Sequence, residues 1–384
     1  MTAWLRGIRE RTRPLASYAD GYDNNFNLMR LIAAALVILG HSYVLTMQRG
    51  QADPLQKLIG IDSGAFAVDV FFVISGFLVV KSYLKDRQVT SYLGARFLRI
   101  FPGLLVAVVF NVFVVGAIFT GLPLLAYLRS PETWKYLLTD STLILRFVQL
   151  VYDLPGVFTA NPVTAAVNGS LWTLPYEVWL YIALLAGGLL GAFKNRKVTN
   201  GLFIGVIAAN VAITPGLVPN PFSLLANFLR FSAFFGWGVL FYLNRDCIPI
   251  SGIISVGLVA LAALGWHVPV IQSFLFPLAL AYTIFWLAYV PRGAIRKYNR
   301  LGDYSYGVYI YAFPIQQSLL ALMPDLRPLQ VLGMALPATL GVAALSWHFV
   351  EQPALRVKQK LRALKLSSQE SKLSAAMPGQ GKST

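Results

Sequence analysis

Asn25 to Leu45 reads NFNLMRLIAAALVILGHSYVL, and its only strongly basic groups are Arg30 and His41. The stretch is apolar enough and long enough to span a bilayer as a helix. An ionisable residue at that depth is costly and faces a protein interior or a water-filled cavity. Arg30 and His41 are eleven residues apart, which advances a helix by roughly 16 Å and returns it to nearly the same face. One stripe therefore carries a cation toward one membrane surface and a titratable base toward the other.

The rest of the chain has the same character. Apolar residues make up 57% and charged residues 12%, and the mean hydropathy is +0.62. A water-soluble domain would carry about twice that charged fraction. The net charge of +16 does not point to nucleic acid, because the basic residues sit in short clusters between apolar runs, as topology signals do. The single cysteine, Cys247, excludes an internal disulfide, and no metal-ligand spacing is present. The first apolar run is too long for a cleavable signal and follows a basic arm containing Trp4.

Ten apolar runs fall near 26–47, 65–84, 99–120, 171–192, 201–217, 223–243, 250–266, 270–290, 303–323 and 328–350. Alternate connections are basic, beginning with Arg6, Arg9, Arg11 and Arg13 before the first run. Lys81, Lys85, Arg87, Arg96 and Arg99 surround the second such connection; Lys194, Arg196 and Lys197 mark the third. Arg245 follows, then Arg292, Arg296, Lys297 and Arg300, and finally Arg356, Lys358, Lys360, Arg362 and Lys365. If all ten runs span, every cluster lies on one side, and the positive-inside rule makes both termini cytoplasmic. The expected fold is all-α: a polytopic membrane bundle of about ten transmembrane helices over residues 25–354. Residues 1–24 form a basic cytoplasmic arm. Residues 355–384 form a basic and then disordered tail. The connection from 121 to 170 is long enough to be functional, with Arg146 and Tyr152 in it and a re-entrant or interfacial helix expected around 132–150. No internal repeat of the kind that builds many transporters is apparent.

Few groups in these runs can do chemistry. His41 titrates near neutrality and can accept a hydroxyl proton; the plainer expectation is a neutral ring bonded between helices. Asp69 starts the second run at a similar depth, where a carboxylate would fix the imidazole tautomer or favour a helix start. Glu177, in GSLWTLPYEVWL, follows Ser170 as the N-cap and Pro175 in the first turns. It needs a partner, either His41 or a cation such as Arg230, and a structural Glu177–Arg230 bridge is an equal expectation. Arg96 and Arg99 share a helix face at i and i+3 and can grip phosphate with forked donors, although basic residues belong at that end in any case. Arg30 completes the cluster. Tyr304, Ser305, Tyr306 and Tyr309 are placed to line a polar cavity, or to sit as interfacial aromatics. Glu351-Gln352-Pro353 reads as a helix terminator. Basic groups at the inner end and a base at the outer end suggest a phosphorylated donor from inside and an acceptor from outside.

In order, these segments resemble acyltransferase family 3, the bacterial membrane acyltransferases. The resemblance covers about residues 24 to 354. It rests on Arg30 and His41 at Arg-x10-His spacing, VDVFFVISGFLV, RFLRIFP, SLWTLPYE, SYGVYIYAFP and the closing EQP. It implies transfer of an acyl group, commonly acetyl from cytoplasmic acetyl-CoA, to a sugar hydroxyl of an exopolysaccharide, lipopolysaccharide or other exported glycan. By position, His41 would be the essential histidine, Arg30, Arg96 and Arg99 would serve the donor, and Glu177 matches the family's glutamate. Many members have a histidine where this chain has Ala312, so a mechanism needing a second intramembrane histidine does not carry over. The expected setting is the bacterial inner membrane. The expected partners are lipids, acyl-CoA and the glycan acceptor, with no metal and no nucleic acid, and a homo-oligomer is left open. Asp69 and Glu177 are expected to serve His41, and Arg230, Tyr304, Ser305 and Tyr306 to contact substrate. A transporter or flippase for an anionic lipid or glycan is the competing class.

Overall fold

A computed structural model describes residues 13–19, 21, 23–46, 52–143, 153–164, 166–213 and 224–357. Arg6, Arg9 and Arg11 of the arm, Arg146 and Tyr152, and Lys358, Lys360, Arg362 and Lys365 of the tail lie outside the described residues.

Each apolar run contains a helix. In chain order these are α1 (Phe26–Leu45), α2 (Ser63–Asp86), α3 (Val89–Phe110), α4 (Leu174–Leu189) and α5 (Arg196–Ile213). They continue with α6 (Leu224–Leu243), α7 (Gly252–Leu264), α8 (Pro269–Tyr289), α9 (Ser305–Leu322) and α10 (Pro328–Ser346). No strand occurs among the described residues. Among the described residues six helices are long and apolar enough to cross a membrane: α1, α2, α3 with its continuation to Phe119, α6, α8, and α10 with its continuation to Val357. The expectation of ten is met as helices but not by this measure, for readable reasons. α4 has 16 residues and α7 only 13. α5 opens on Arg196 and Lys197, and α9 carries three tyrosines and two glutamines. The outer faces are apolar, with Ile253, Val256 and Leu264 of α7 and Phe97 and Leu105 of α3 exposed. Such surfaces are unsuited to water, and the chain is a multi-pass membrane protein.

Local chemistry fixes the ends. Asp62 caps α2 by accepting the Ala65 N–H at 2.8 Å, and Arg87 closes it in the left-handed region at φ 48°. α2 then packs on α1 and α6. Gly76 lets α6 approach, since a Cβ there would lie 2.0 Å from the Phe235 carbonyl oxygen. Gly238 returns the fit, with a Cβ falling 2.1 Å from the Val73 oxygen. Small residues that admit a neighbouring backbone are how membrane helices gain dispersion contacts.

The basic connections meet at one end of the bundle. Arg196, the first residue of α5, donates to Asn244 at 3.0 Å and to Asp246 at 3.2 Å in the α6–α7 connection. The Leu15 N–H bonds Ile248 there at 2.9 Å, and Arg296 pairs with Asp23. This is called the basic end below.

Two helices widen into π turns. α3 does so at Asn111–Gly116, where the Val112 carbonyl is met by Tyr127 OH at 2.9 Å. α10 does so at Trp347–Glu351 and continues as helix to Val357. Glu351-Gln352-Pro353 therefore does not end the helix. Pro353 lacks an N–H, and the wider turn just before it absorbs the lost bond. The Glu351 side chain is buried and accepts from Ser346 at 2.9 Å.

The long connection forms helices at Leu124–Arg129 and Pro131–Thr142. Its later part descends into the bundle. Asn161 donates to the Gln317 carbonyl at 2.9 Å, and Gln317 returns bonds to Val163 and Ala166 at 2.9 and 2.8 Å. Asn168 donates to Ile310 at 2.8 Å, and Tyr309 OH donates to Ser170 at 2.7 Å. The strap thus follows α9 from Gln317 to Tyr309, eight residues or about 12 Å. Irregular backbone at this depth persists because it is enclosed by protein and hydrogen-bonded to it.

Candidate active site

α1, α2, α3, α4 and α9 surround a cavity of about 180 Å³. Its wall at the basic end holds Arg30, Arg96 and Arg99. Midway are Ser75, Glu177 and Tyr181, and at the far end Phe71, Thr173 and Tyr309. Ser305 and Tyr306 also line it. The arginines, Glu177, Ser305 and Tyr306, expected separately from motifs far apart in the chain, therefore come together.

The arginines differ in their surroundings. Arg30 Nη1 and Arg99 Nη2 each lie 2.6 Å from Asp303 Oδ2. Burial alone would raise the Asp303 pKa, but Arg30, Arg99 and the Ser305 hydrogen bonds outweigh it and hold the carboxyl down at about 2. Two of the three expected phosphate ligands are thus already clamped on a carboxylate. Arg96 has no carboxylate partner among the described residues. Its guanidinium lies 5.4 Å from the Tyr181 ring centre and 6.0 Å from that of Tyr92, and its buried Nε has no hydrogen-bond partner.

Glu177 bonds neither His41 nor Arg230. It accepts from Ser75 Oγ at 3.2 Å and from Tyr181 OH, and Ser75 and Tyr181 are themselves 2.9 Å apart. Ser170 is not an N-cap: it sits in a 3-10 turn, Gly169–Thr173, so α4 starts at Leu174 and Glu177 falls in its first turn. The bonds from Asn168 to Ile310 and from Tyr309 to the Ser170 carbonyl tie that turn to α9 in place of a capping side chain.

Asp69 is also engaged elsewhere. Arg230 Nη2 lies 2.9 and 2.8 Å from its two oxygens. The pair borders a separate cavity of about 480 Å³ on the other flank of α2, with Asp62, Asn227 and Gln272. Neither Asp69 nor Glu177 orients His41. α2 turns Asp69 toward α6, while His41 leans toward α9.

His41 does not line the central cavity. Its ring meets Phe313 edge-on at 5.1 Å, and Phe313 is one turn beyond Tyr309 at the cavity's far end. Phe313 in turn packs on Gly169, where a Cβ would be 2.6 Å from the ring. Among the described residues the buried His41 Nδ1 has no partner, nor do Asn168 Oδ1, Ser170 Oγ and Gln316 Oε1. Orphaned buried polar atoms are rare and mark strain or a ligand. Here three belong to residues that adjoin α9 between Tyr309 and Phe313, and the fourth, Gln316, is on α9 itself. Tyr304 turns away from the cavity, its hydroxyl 3.4 Å from His348 Nε2.

Asp303, Ser75, Tyr181, Asn168 and Gln316 were not singled out from the sequence. Asp303 carried the one available signal, a carboxylate placed just before an apolar run at the basic end.

Comparison with known proteins identifies the family. The acyltransferase domain family matches residues 23–347. The chain is 29% identical to an O-acetyl transferase of Shigella phage Sf6 over 347 residues, 86% of this chain and 95% of that protein. It is 28% identical to nodulation protein 10 of Rhizobium leguminosarum bv. viciae, over 92% of this chain and 99% of that one. No solved structure gives a significant match. With a family match over most of its length, the chain belongs to acyltransferase family 3 and is an acyltransferase.

Proposed function

We propose that the protein is an inner-membrane O-acyltransferase that moves an acyl group, acetyl in the simplest case, from cytoplasmic acyl-CoA to a sugar hydroxyl of an exported glycan such as an exopolysaccharide or lipopolysaccharide. The observation that carries this reading is the central cavity, which has three arginines in its wall and ends at Tyr309, one helical turn from Phe313, the ring against which His41 packs. The name of the Shigella phage relative supports oxygen as the acceptor atom and acetyl as the group. The basic end is taken as cytoplasmic by the positive-inside rule, with ten crossings and both termini inside.

In this reading the donor thioester enters from the basic end and its carbonyl rests near the Thr173–Tyr309 hydroxyl pair, 2.6 Å apart. The acceptor hydroxyl arrives from the opposite side. His41 takes its proton, the oxygen attacks the carbonyl carbon, and the C–S bond breaks; the proton held by His41 passes to the departing sulfur, so that CoA leaves as the thiol. On this reading the buried, unpartnered oxygens of Asn168, Ser170 and Gln316 are available to hydrogen-bond an acceptor that reaches His41.

The test is thiol release from acetyl-CoA by membranes from expressing cells, paired with NMR of the surface glycan. Thiol release and glycan acetylation that both depend on His41 are expected. A carrier would free no thiol, and a glycan unchanged by His41→Ala at matched expression would sink the reading.

A further inference from the structure

The central cavity has a neighbour at the basic end, and Leu78 lines both. This second cavity, of about 260 Å³, lies under the α2–α3 turn and is bordered by Lys81, Lys85, Arg87, Tyr83, Tyr92 and Tyr289. One carboxylate, Asp86, also borders it, and it accepts from Ser91 at 2.6 Å. Lys85 and Arg87 make no ion pair among the described residues. Basic residues at this end follow from topology alone. A cavity beneath them, walled by three tyrosines and meeting the deeper one, does not.

Arg96 connects the two. Its guanidinium lies over both Tyr92, in the outer cavity, and Tyr181, in the inner one, and it has no counter-ion among the described residues. Arg30 and Arg99, by contrast, share the single carboxylate of Asp303. A polyanion gains most where cations lack partners and least where a carboxylate must first be displaced. From Leu78 to Phe71 the central cavity follows seven residues of α2, about 10 Å. That shape takes a slender arm.

Resting on the acyl-CoA reading above, we propose that the donor's anionic nucleotide head binds the cavity of the α2–α3 turn, on Lys85, Arg87 and Arg96. Its pantetheine arm passes Leu78 into the central cavity, and Arg30 and Arg99 are not its phosphate ligands. The tyrosines offer π faces to the base and to the guanidinium of Arg96.

The experiment measures binding of CoA, 3′-dephospho-CoA and pantetheine to the full chain in nanodiscs, for the unmodified protein and for the K85Q/R87Q variant. Both positions are exposed, so the fold is retained, and unchanged pantetheine binding verifies it. The unmodified protein should prefer CoA to pantetheine. The double variant should lose at least about tenfold in CoA affinity, the worth of one charge-assisted hydrogen bond. CoA affinity unchanged in the variant, or lost equally for CoA and pantetheine, would overturn the head-group site. Failure of the unmodified protein to bind CoA at all would instead overturn the donor reading on which it rests.

Discussion

Arg230 holds both carboxylate oxygens of Asp69, at 2.9 and 2.8 Å, on the flank of α2 that faces away from His41. The two partners are unequal: the Asp69 side chain is 1% exposed and that of Arg230 is 36% exposed. Removing the cation leaves a buried charge, whereas removing the carboxylate leaves a charge that water can reach. Arg230→Gln should therefore destabilise more than Asp69→Asn, by about 2 kcal/mol, and the double variant should recover part of the loss. Unfolding in detergent of the three variants measures this. Equal losses that simply add would show that the pair is not coupled.

Asp303 makes a second ionic prediction, with a pH signature. Its pKa is held down at about 2 in the folded chain. Its contribution is therefore fully present above the ordinary carboxylate range near pH 4 and is lost only as pH falls toward 2. Asp303→Asn should cost about 3 kcal/mol at pH 7, because Arg30 and Arg99 lose their shared counter-charge. The gap in melting temperature between the two proteins should stay level from pH 8 to pH 5 and narrow below pH 4. A gap that already closes between pH 7 and 5 would contradict the assignment.

The fold was legible because apolar runs and basic connections repeat along the whole chain, and each run is a helix. Arg30, Arg96, Arg99 and Glu177 were legible as charges in apolar surroundings, and they do share one cavity. Their partners were not. Depth along a helix can be counted from sequence, but the neighbour a side chain faces depends on how each helix is rotated. Asp69 and His41 share a depth and face different helices. The strap at Asn168–Thr173 was hidden for another reason. Its position depends on the Asn168 side chain bonding the Ile310 carbonyl and the Tyr309 hydroxyl bonding the Ser170 carbonyl, and no periodicity encodes those. Pro353 was misread because proline usually ends a helix, and a π turn is one of the few ways past it.

The separation of His41 from the cavity predicts a division between binding and turnover. His41→Ala should keep the CoA affinity of the unmodified protein and lose transfer by about 10²–10⁴-fold, as for a lost general base. Glu177→Gln alters the cavity wall and the Ser75–Tyr181 contacts, so it should change both affinity and rate. Calorimetric CoA binding alongside thiol release distinguishes the two. Loss of CoA binding in a folded His41→Ala protein would place the histidine on the donor.

Gly169 tests whether the strap sets the histidine. A Cβ there would lie 2.6 and 2.8 Å from two ring atoms of Phe313, closer than real contacts allow. The ring must then shift, and it is the ring that packs edge-on against His41 at 5.1 Å. Overpacking of this kind costs about 1–3 kcal/mol of stability, so Gly169→Ala should still fold. Its turnover should fall at least about tenfold, since a small misplacement of a catalytic group is expensive, while CoA affinity holds because the donor cavity is untouched. Shortening the obstructing ring should relieve the clash, so Gly169→Ala with Phe313→Leu should recover part of the lost rate. If Gly169→Ala turns over normally, the His41–Phe313–Gly169 stack is packing and nothing more. If the second change fails to help, the strap acts on His41 by some route other than Phe313.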